Sequence, residues 1–223
     1  MKKVVLIFVV SLFFVLAHAG SVHAEKISLT ADAPVWNLGQ YADTNFDRYG
    51  KNDPRWSQWA NLDSELWTGS FYNTGNETRS YLSFAFSGDA AINSATLWMN
   101  VGNSEGSSNV KLYSVSPGSW EESVVTWNNQ PRSDTYTYVS SANINGNGWY
   151  SWDVTSLAIG AGKDPVSVVL VADPKCSNGN VFYARETMTD FAPYVDVQAA
   201  PEPVASALFL LGGGLIVFMR RKK

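Results

Sequence analysis

Ser80-Tyr81-Leu82-Ser83-Phe84-Ala85-Phe86 and, a little further on, Ala95-Thr96-Leu97-Trp98-Met99-Asn100-Val101 both alternate with a period of two. Successive side chains of an extended chain point to opposite faces, so Leu82, Phe84 and Phe86 share one side. Ala95, Leu97, Met99 and Val101 share one side of the second segment in the same way. Val110-Lys111-Leu112-Tyr113-Ser114-Val115 continues the pattern after the turn-rich stretch Gly102 to Asn109, which reads as a hairpin loop. Val166-Ser167-Val168-Val169-Leu170-Val171 is more continuously apolar, as a central strand would be. Val181-Phe182-Tyr183-Ala184 and Tyr194-Val195-Asp196-Val197 complete the set. Gly, Asn, Pro and Ser clusters separate these segments, and helical periodicity is scarce. The pattern predicts an all-β fold, a sandwich or barrel, and the length suits a single two-sheet β-sandwich over residues 25–198.

Gly39 to Thr78 breaks the rhythm. It holds Asn45, Asp47, Gly50, Asn52, Asp53 and Pro54 together with Trp56, Trp59, Trp67, Phe71 and Tyr72. An irregular stretch of this length inside a compact domain is uncommon and often functional.

Both ends read as addresses. Met1-Lys2-Lys3 is a basic opening, Val4 to Leu16 is apolar apart from Ser11, and small residues follow at Ala17-His18-Ala19 and Val22-His23-Ala24. That order predicts a secretory signal peptide over 1–24, cleaved after Ala19 or Ala24. At the other end, residues 199–223 contain Pro201-Glu202-Pro203, an apolar run from Val204 to Met219, and Arg220-Arg221-Lys222-Lys223. The run is at the short edge for a transmembrane helix, and the basic cluster holds its end on the cytoplasmic side.

Composition removes several kinds of chemistry. His18 and His23, the only histidines, lie within the signal peptide. The exported chain therefore builds no Ser-His or Cys-His pair and no His-containing zinc site. Cys176 is the only cysteine, so no internal disulfide forms; it is either a sheltered thiol or a bridge to another chain. Between residues 25 and 202, 10 Lys and Arg face 20 Asp and Glu, a formal charge of −10. With no basic cluster in that stretch, nucleic acid is excluded as a partner. Glu121 and Glu122 are adjacent and point to opposite faces, so they make a poor glycosidase pair. The chain reads as a non-enzyme.

Two resemblances sharpen the picture. Pro201-Glu202-Pro203, the short apolar run and the basic end resemble the PEP-CTERM sorting signal. That resemblance implies processing by a membrane exosortase and delivery to the surface of a Gram-negative bacterium that makes exopolysaccharide, with transient anchoring in the inner membrane. Trp120-Glu121-Glu122-Ser123-Val124-Val125-Thr126-Trp127-Asn128-Asn129-Gln130-Pro131 resembles the W-x-E-x-x-x-T-W-N-x-x-P signature of DNRLRE-domain proteins. Ala31 to Val35, Arg79 to Phe84, Ile92 to Leu97, Trp149 to Thr155, Phe182 to Glu186 and Pro193 to Val197 resemble its other segments. The likeness covers about residues 27 to 198 and implies a jelly roll related to carbohydrate-binding modules, several of which recognise acidic or plant and algal polysaccharides. The Trp-rich insertion before Arg79 departs from that pattern, so ligand preference does not carry over.

Candidate residues follow. Trp56, Trp59 and Trp67 offer flat apolar faces suited to a pyranose, with Asn52 and Arg55 to bond its hydroxyls; the alternative is a satellite core under a long loop. Trp120, Glu122, Thr126, Trp127 and Pro131 read as architecture, a loop packed on the sandwich edge and held by Glu122. Calcium would suit an exported fold without disulfides, and Asp32 on the first strand with Asp196 on the last are its candidate ligands, as in similar carbohydrate-binding jelly rolls. Asp43, Asn45 and Asp47 alternate but lack the rest of an EF-hand loop. The expected function is a non-enzymatic exported surface or extracellular-matrix protein whose module associates with polysaccharide. A purely structural or adhesive surface protein is the alternative, and a polysaccharide-degrading enzyme is the third reading.

Overall fold

The computed structural model describes residues 24–37, 39, 42–46, 65–70, 76–87, 91–116, 118–173, 179–187 and 190–200. They form β1 (Ala24–Ser28), β2 (Ala31–Trp36), β3 (Glu65–Ser70), β4 (Glu77–Phe84), β5 (Ile92–Ser104), β6 (Ser108–Val115), β7 (Thr137–Ile144), β8 (Gly148–Asp153), β9 (Val166–Ala172), β10 (Asn180–Tyr183) and β11 (Tyr194–Ala199). They also form a short helix, α1 (Thr155–Ala161), and a 3-10 turn at Ser133–Thr135. The fold is all-β and sandwich-like, with every pairing antiparallel.

In the first sheet β5 is flanked by β8 on one side and by β10 and β11 on the other, with β1 beyond β11. The second sheet runs from β2 through β4 and β9 to β6 and β7. β3 joins the two, pairing with β10 and, through Gly69 and Ser70, with β4. The continuously apolar segment Val166–Ala172 is central, between β4 and β6.

The alternation explains the core. Leu82 and Phe84 of β4, Val168 and Leu170 of β9, and Val110 and Leu112 of β6 meet Leu97, Met99 and Val101 of β5, Val195 of β11 and Phe182 of β10. Trp152 of β8 is 1% exposed and donates its Nε1–H to the Val110 carbonyl at 3.0 Å, so a core side chain of one sheet bonds the backbone of the other. At one end α1 adds buried Ala158; the Asp153 carboxylate takes the Thr155 N–H at 2.9 Å, and the Thr155 hydroxyl accepts the Ala95 N–H at 3.0 Å. Hydrogen bonding to Asp153 from the Thr155 side chain, and then from its N–H, holds the exposed Asp153 carboxyl below its usual range.

The stretch Gly102 to Asn109 is not a hairpin. β5 and β6 lie in different sheets, so Glu105–Ser107 is a corner between layers, turned at Gly106 with φ of +138°. Both strands have other partners on each side, and alternation reports which face is buried but not which strand is the neighbour. The signal peptide 1–24 (but for Ala24), the Pro201–Lys223 tail and Cys176 lie outside the described residues. Among the described residues no helix is long and apolar enough to cross a membrane.

Candidate functional site

The outer face of the second sheet is roofed. Ala33, Val35, Tyr81, Val115, Val125 and Val169 form a second buried cluster there, with Trp120 and Trp127 half-buried against it. The loop from Trp120 to Pro131 thus lies over a sheet face, where an edge contact was expected. Tyr81 and Trp120 have ring centroids 5.5 Å apart, and the Arg79 guanidinium sits 4.8 Å over the Trp127 ring. The Thr126 N–H bonds the Asn129 side chain at 2.6 Å, and the Asn129 N–H returns to the Thr126 hydroxyl at 3.4 Å. The Pro131 carbonyl accepts the Tyr136 hydroxyl at 3.2 Å. The start of the insertion locks this roof: the Asn45 amide donates to the carbonyls of Glu122 and Val125 at 2.7 and 2.8 Å. The Asp43 carboxylate accepts from Asn128 at 2.7 Å. Asn45 spends its amide N–H groups on these two carbonyls; Asp47 lies outside the described residues.

Glu122 does more than hold its loop. Both its oxygens accept from Arg185 Nη2, at 2.9 and 2.8 Å, and Oε1 also accepts the Asp32 N–H at 3.2 Å. Arg185, in the turn after β10, donates its backbone N–H to Asp32 Oδ2 at 2.8 Å and its Nη1 to the Thr30 carbonyl at 2.8 Å, and its Nε pairs with Glu186. Asp32, Glu122 and Glu186 bring carboxylate oxygens within 4.8 Å of one another. Burial, and then the Glu186 and Glu122 charges, push the Asp32 carboxyl up to about 8; the Arg185 N–H pulls the other way.

Asp196 is not a partner of Asp32. It sits in β11 between Lys26 and Thr96, and since its neighbours Val195 and Val197 face the core, it faces outward from the first sheet. Asp32, opposite Leu82, is on the inner side of the second sheet. The expected pair fails because the two strands belong to different layers. The residues that do gather, Glu122 and Glu186, sit in loops far from Asp32 in sequence. As a donor set the three carboxylates suit a hard cation, but the Glu122 oxygens are already spent on the Arg185 guanidinium, and a calcium ion does not fit without displacing it.

Of the glycan candidates, Trp56, Trp59, Asn52 and Arg55 lie outside the described residues. Trp67 is 5% exposed, with its ring 4.5 Å from Trp36, which stacks at 4.6 Å on Phe46. Its Nε1–H bonds Glu65 at 3.0 Å, and burial raises the Glu65 carboxyl. A ring this enclosed presents no face to a sugar, so Trp67 is packing at the base of the insertion.

The open rings lie elsewhere. Trp98 of β5, Tyr194 of β11 and Trp149 of β8 all point outward from the first sheet, and Trp149 is 38% exposed. Tyr194 and Trp149 flank β5, and their ring centroids meet 5.5 Å apart. Lys26 Nζ lies 4.3 Å over Tyr194. Further along, Tyr183 lies over Gly102 and stacks on Phe191 at 5.2 Å and 27°. The only signal for these residues was large aromatic side chains at the outward half of the alternation.

The model of carbohydrate-binding module family 96 matches residues 24–199. No curated protein matches the chain. Among solved structures, a truncated AlyQ with CBM32 and alginate lyase domains is 9% identical at a TM-score of 0.33, over 80% of this chain and 34% of that one. This chain therefore spans about a third of that structure's length. The CBM32 of AlyQ in complex with 4,5-unsaturated mannuronic acid is 10% identical at 0.30, over 77% of this chain and 97% of that one. The cysteine protease and lectin-like domains of Cwp84, a surface layer associated protein of Clostridium difficile, are 10% identical at 0.31, over 55% and 29%. Likenesses this slight carry no argument about ligand or activity.

Proposed function

We propose, since the chain belongs to carbohydrate-binding module family 96, that it is a non-enzymatic exported surface protein whose sandwich associates with polysaccharide. The observation that carries this reading is the family match over the whole sandwich. The chemistry agrees: the chain between residues 25 and 202 has no histidine, and among the described residues the one cluster of three acidic groups is bonded to an arginine. The flanking segments supply the address. The Pro201-Glu202-Pro203 motif, the apolar run and the basic end support sorting by an exosortase-type enzyme at the inner membrane, with the module delivered among the cell's own exopolysaccharide. Calcium enters this reading only as a competitor of Arg185.

Affinity electrophoresis of the purified protein through gels containing neutral and acidic polysaccharides tests the binding. Retardation on at least one polymer, with no reducing ends released from any, is the expected result. Release of reducing ends would make the protein an enzyme, and free migration through every gel would leave a structural or adhesive surface protein. Fractionation of cells expressing the chain, with Pro201-Glu202-Pro203 intact or replaced by alanines, tests the address: the variant is expected to stay in the inner membrane.

A further inference from the structure

The two outer faces of the sandwich differ in kind. One is covered by the Trp120–Pro131 loop, which packs Tyr81, Tyr113 and Tyr136 and leaves Tyr138 exposed beside Tyr113. The other keeps Trp98, Trp149, Tyr194, Tyr183 and Phe191 on its surface, with Trp149 and Phe191 each 38% exposed. An antiparallel sheet facing water is ordinarily polar on that side. Two ring pairs on one such face, Trp149 with Tyr194 and Tyr183 with Phe191, point to an interaction site.

We infer that this face of the first sheet, from Lys26 and Tyr194 across Trp98 to Trp149, seats a neutral, extended polysaccharide chain. The inference deepens the polysaccharide reading and rests on it. Ring faces attract the polarised C–H groups of a pyranose, and Tyr and Trp supply that area with little loss of side-chain freedom. The rings sit on β5 and its neighbours β8, β10 and β11, so the surface is rigid before any ligand arrives. From Trp98 to Gly102 the strand advances about 13 Å, the reach of a few sugar units. Gly102 is part of the design: a Cβ there would lie 2.8 Å from the Tyr183 ring, so its absence lets that ring lie flat on the strand.

Charge selects the occupant. Among the described residues Lys26 is the one cation on this surface, while Asp196 and Asp153 face the same side through their register with Thr96. A polyanion would meet both carboxylates and the excess of negative charge between residues 25 and 202, whereas a neutral chain meets none of that repulsion.

The test uses affinity gels of a neutral β-linked glucan, a neutral mannan and alginate, with the wild-type protein, Trp149→Ala, Lys26→Ala/Trp149→Ala and Trp56→Ala/Trp59→Ala. Thermal melts accompany each variant, and Trp149 and Lys26 are surface positions whose loss leaves the melt in place. The expected result is retardation of the wild type on a neutral polymer, weakened at least tenfold by Trp149→Ala and unchanged by Trp56→Ala/Trp59→Ala. Unchanged retardation of both Trp149 variants would overturn the site while leaving the polysaccharide reading intact, as would loss in the Trp56→Ala/Trp59→Ala protein alone. Retardation of the wild type on alginate only would overturn the neutral class. A wild type retarded by no polymer would remove both the site and the reading beneath it.

Discussion

Arg185 is the residue on which the Asp32 corner of the molecule depends, because one guanidinium ties Glu122 of the roof loop to Thr30 and Glu186 while its own N–H binds Asp32. Removing it strands three carboxylates within 4.8 Å. With the pair partly open to water, Arg185→Met is expected to lower stability by about 1–3 kcal/mol, read from the urea midpoint. Calcium should recover part of that loss in the variant and leave the wild-type melt unmoved; a wild-type melt lowered by chelator would show a metal where the guanidinium is placed. Asp32 makes a second prediction. Its carboxyl titrates at about 8 in the fold, against 3.8 for an unperturbed group, so between those values the folded state holds a proton the unfolded chain has lost. Stability from this group is therefore present below about pH 4 and drains away as pH rises towards 8. The Asp32→Asn protein, melted alongside the wild type from pH 5 to 9, should gain on it up to about pH 8 and hold level beyond. Asp32 was legible in the sequence as a special carboxylate, but its partners were not: Glu122 and Arg185 lie 90 and 153 positions away, and only the closed fold brings them near.

At the scale of elements, the roof loop is held by aromatic packing and by short bonds from a segment that precedes it by some 80 positions. Trp127 contributes a half-buried ring under the Arg79 guanidinium. Trp127→Ala is expected to cost about 2 kcal/mol, below the full price of a buried Trp. Because the roof covers the other sheet, glycan retardation of that variant should match the wild type once both are folded. The strands were readable because alternation in Leu82 and Phe84, or Leu97, Met99 and Val101, directly encodes a buried face. The turn-rich stretch after Val101 was misread because turn chemistry looks the same whether the chain folds back on its own sheet or crosses to the other. The open aromatic surface escaped notice because Trp98, Trp149 and Tyr194 occupy the outward half of regular strands, whereas the rings of the insertion stood out by crowding.

For the molecule as a whole, the core is continuous across both sheets, and Trp152 bonds the backbone of the opposite layer. Trp152→Phe should therefore lower one cooperative transition, with far- and near-UV dichroism and calorimetry coincident, rather than split it in two. A further consequence lies in β11. It runs between β1 and β5, in register from Ala24↔Gln198 to Ser28↔Tyr194 on one side and from Trp98 to Ile92 on the other. Where the chain is held by its last residues and a bound polymer is dragged by flow, tension enters along this strand. It loads two hydrogen-bond ladders in shear simultaneously, so they must fail together rather than open one pair at a time, and the grip on the polymer persists under load.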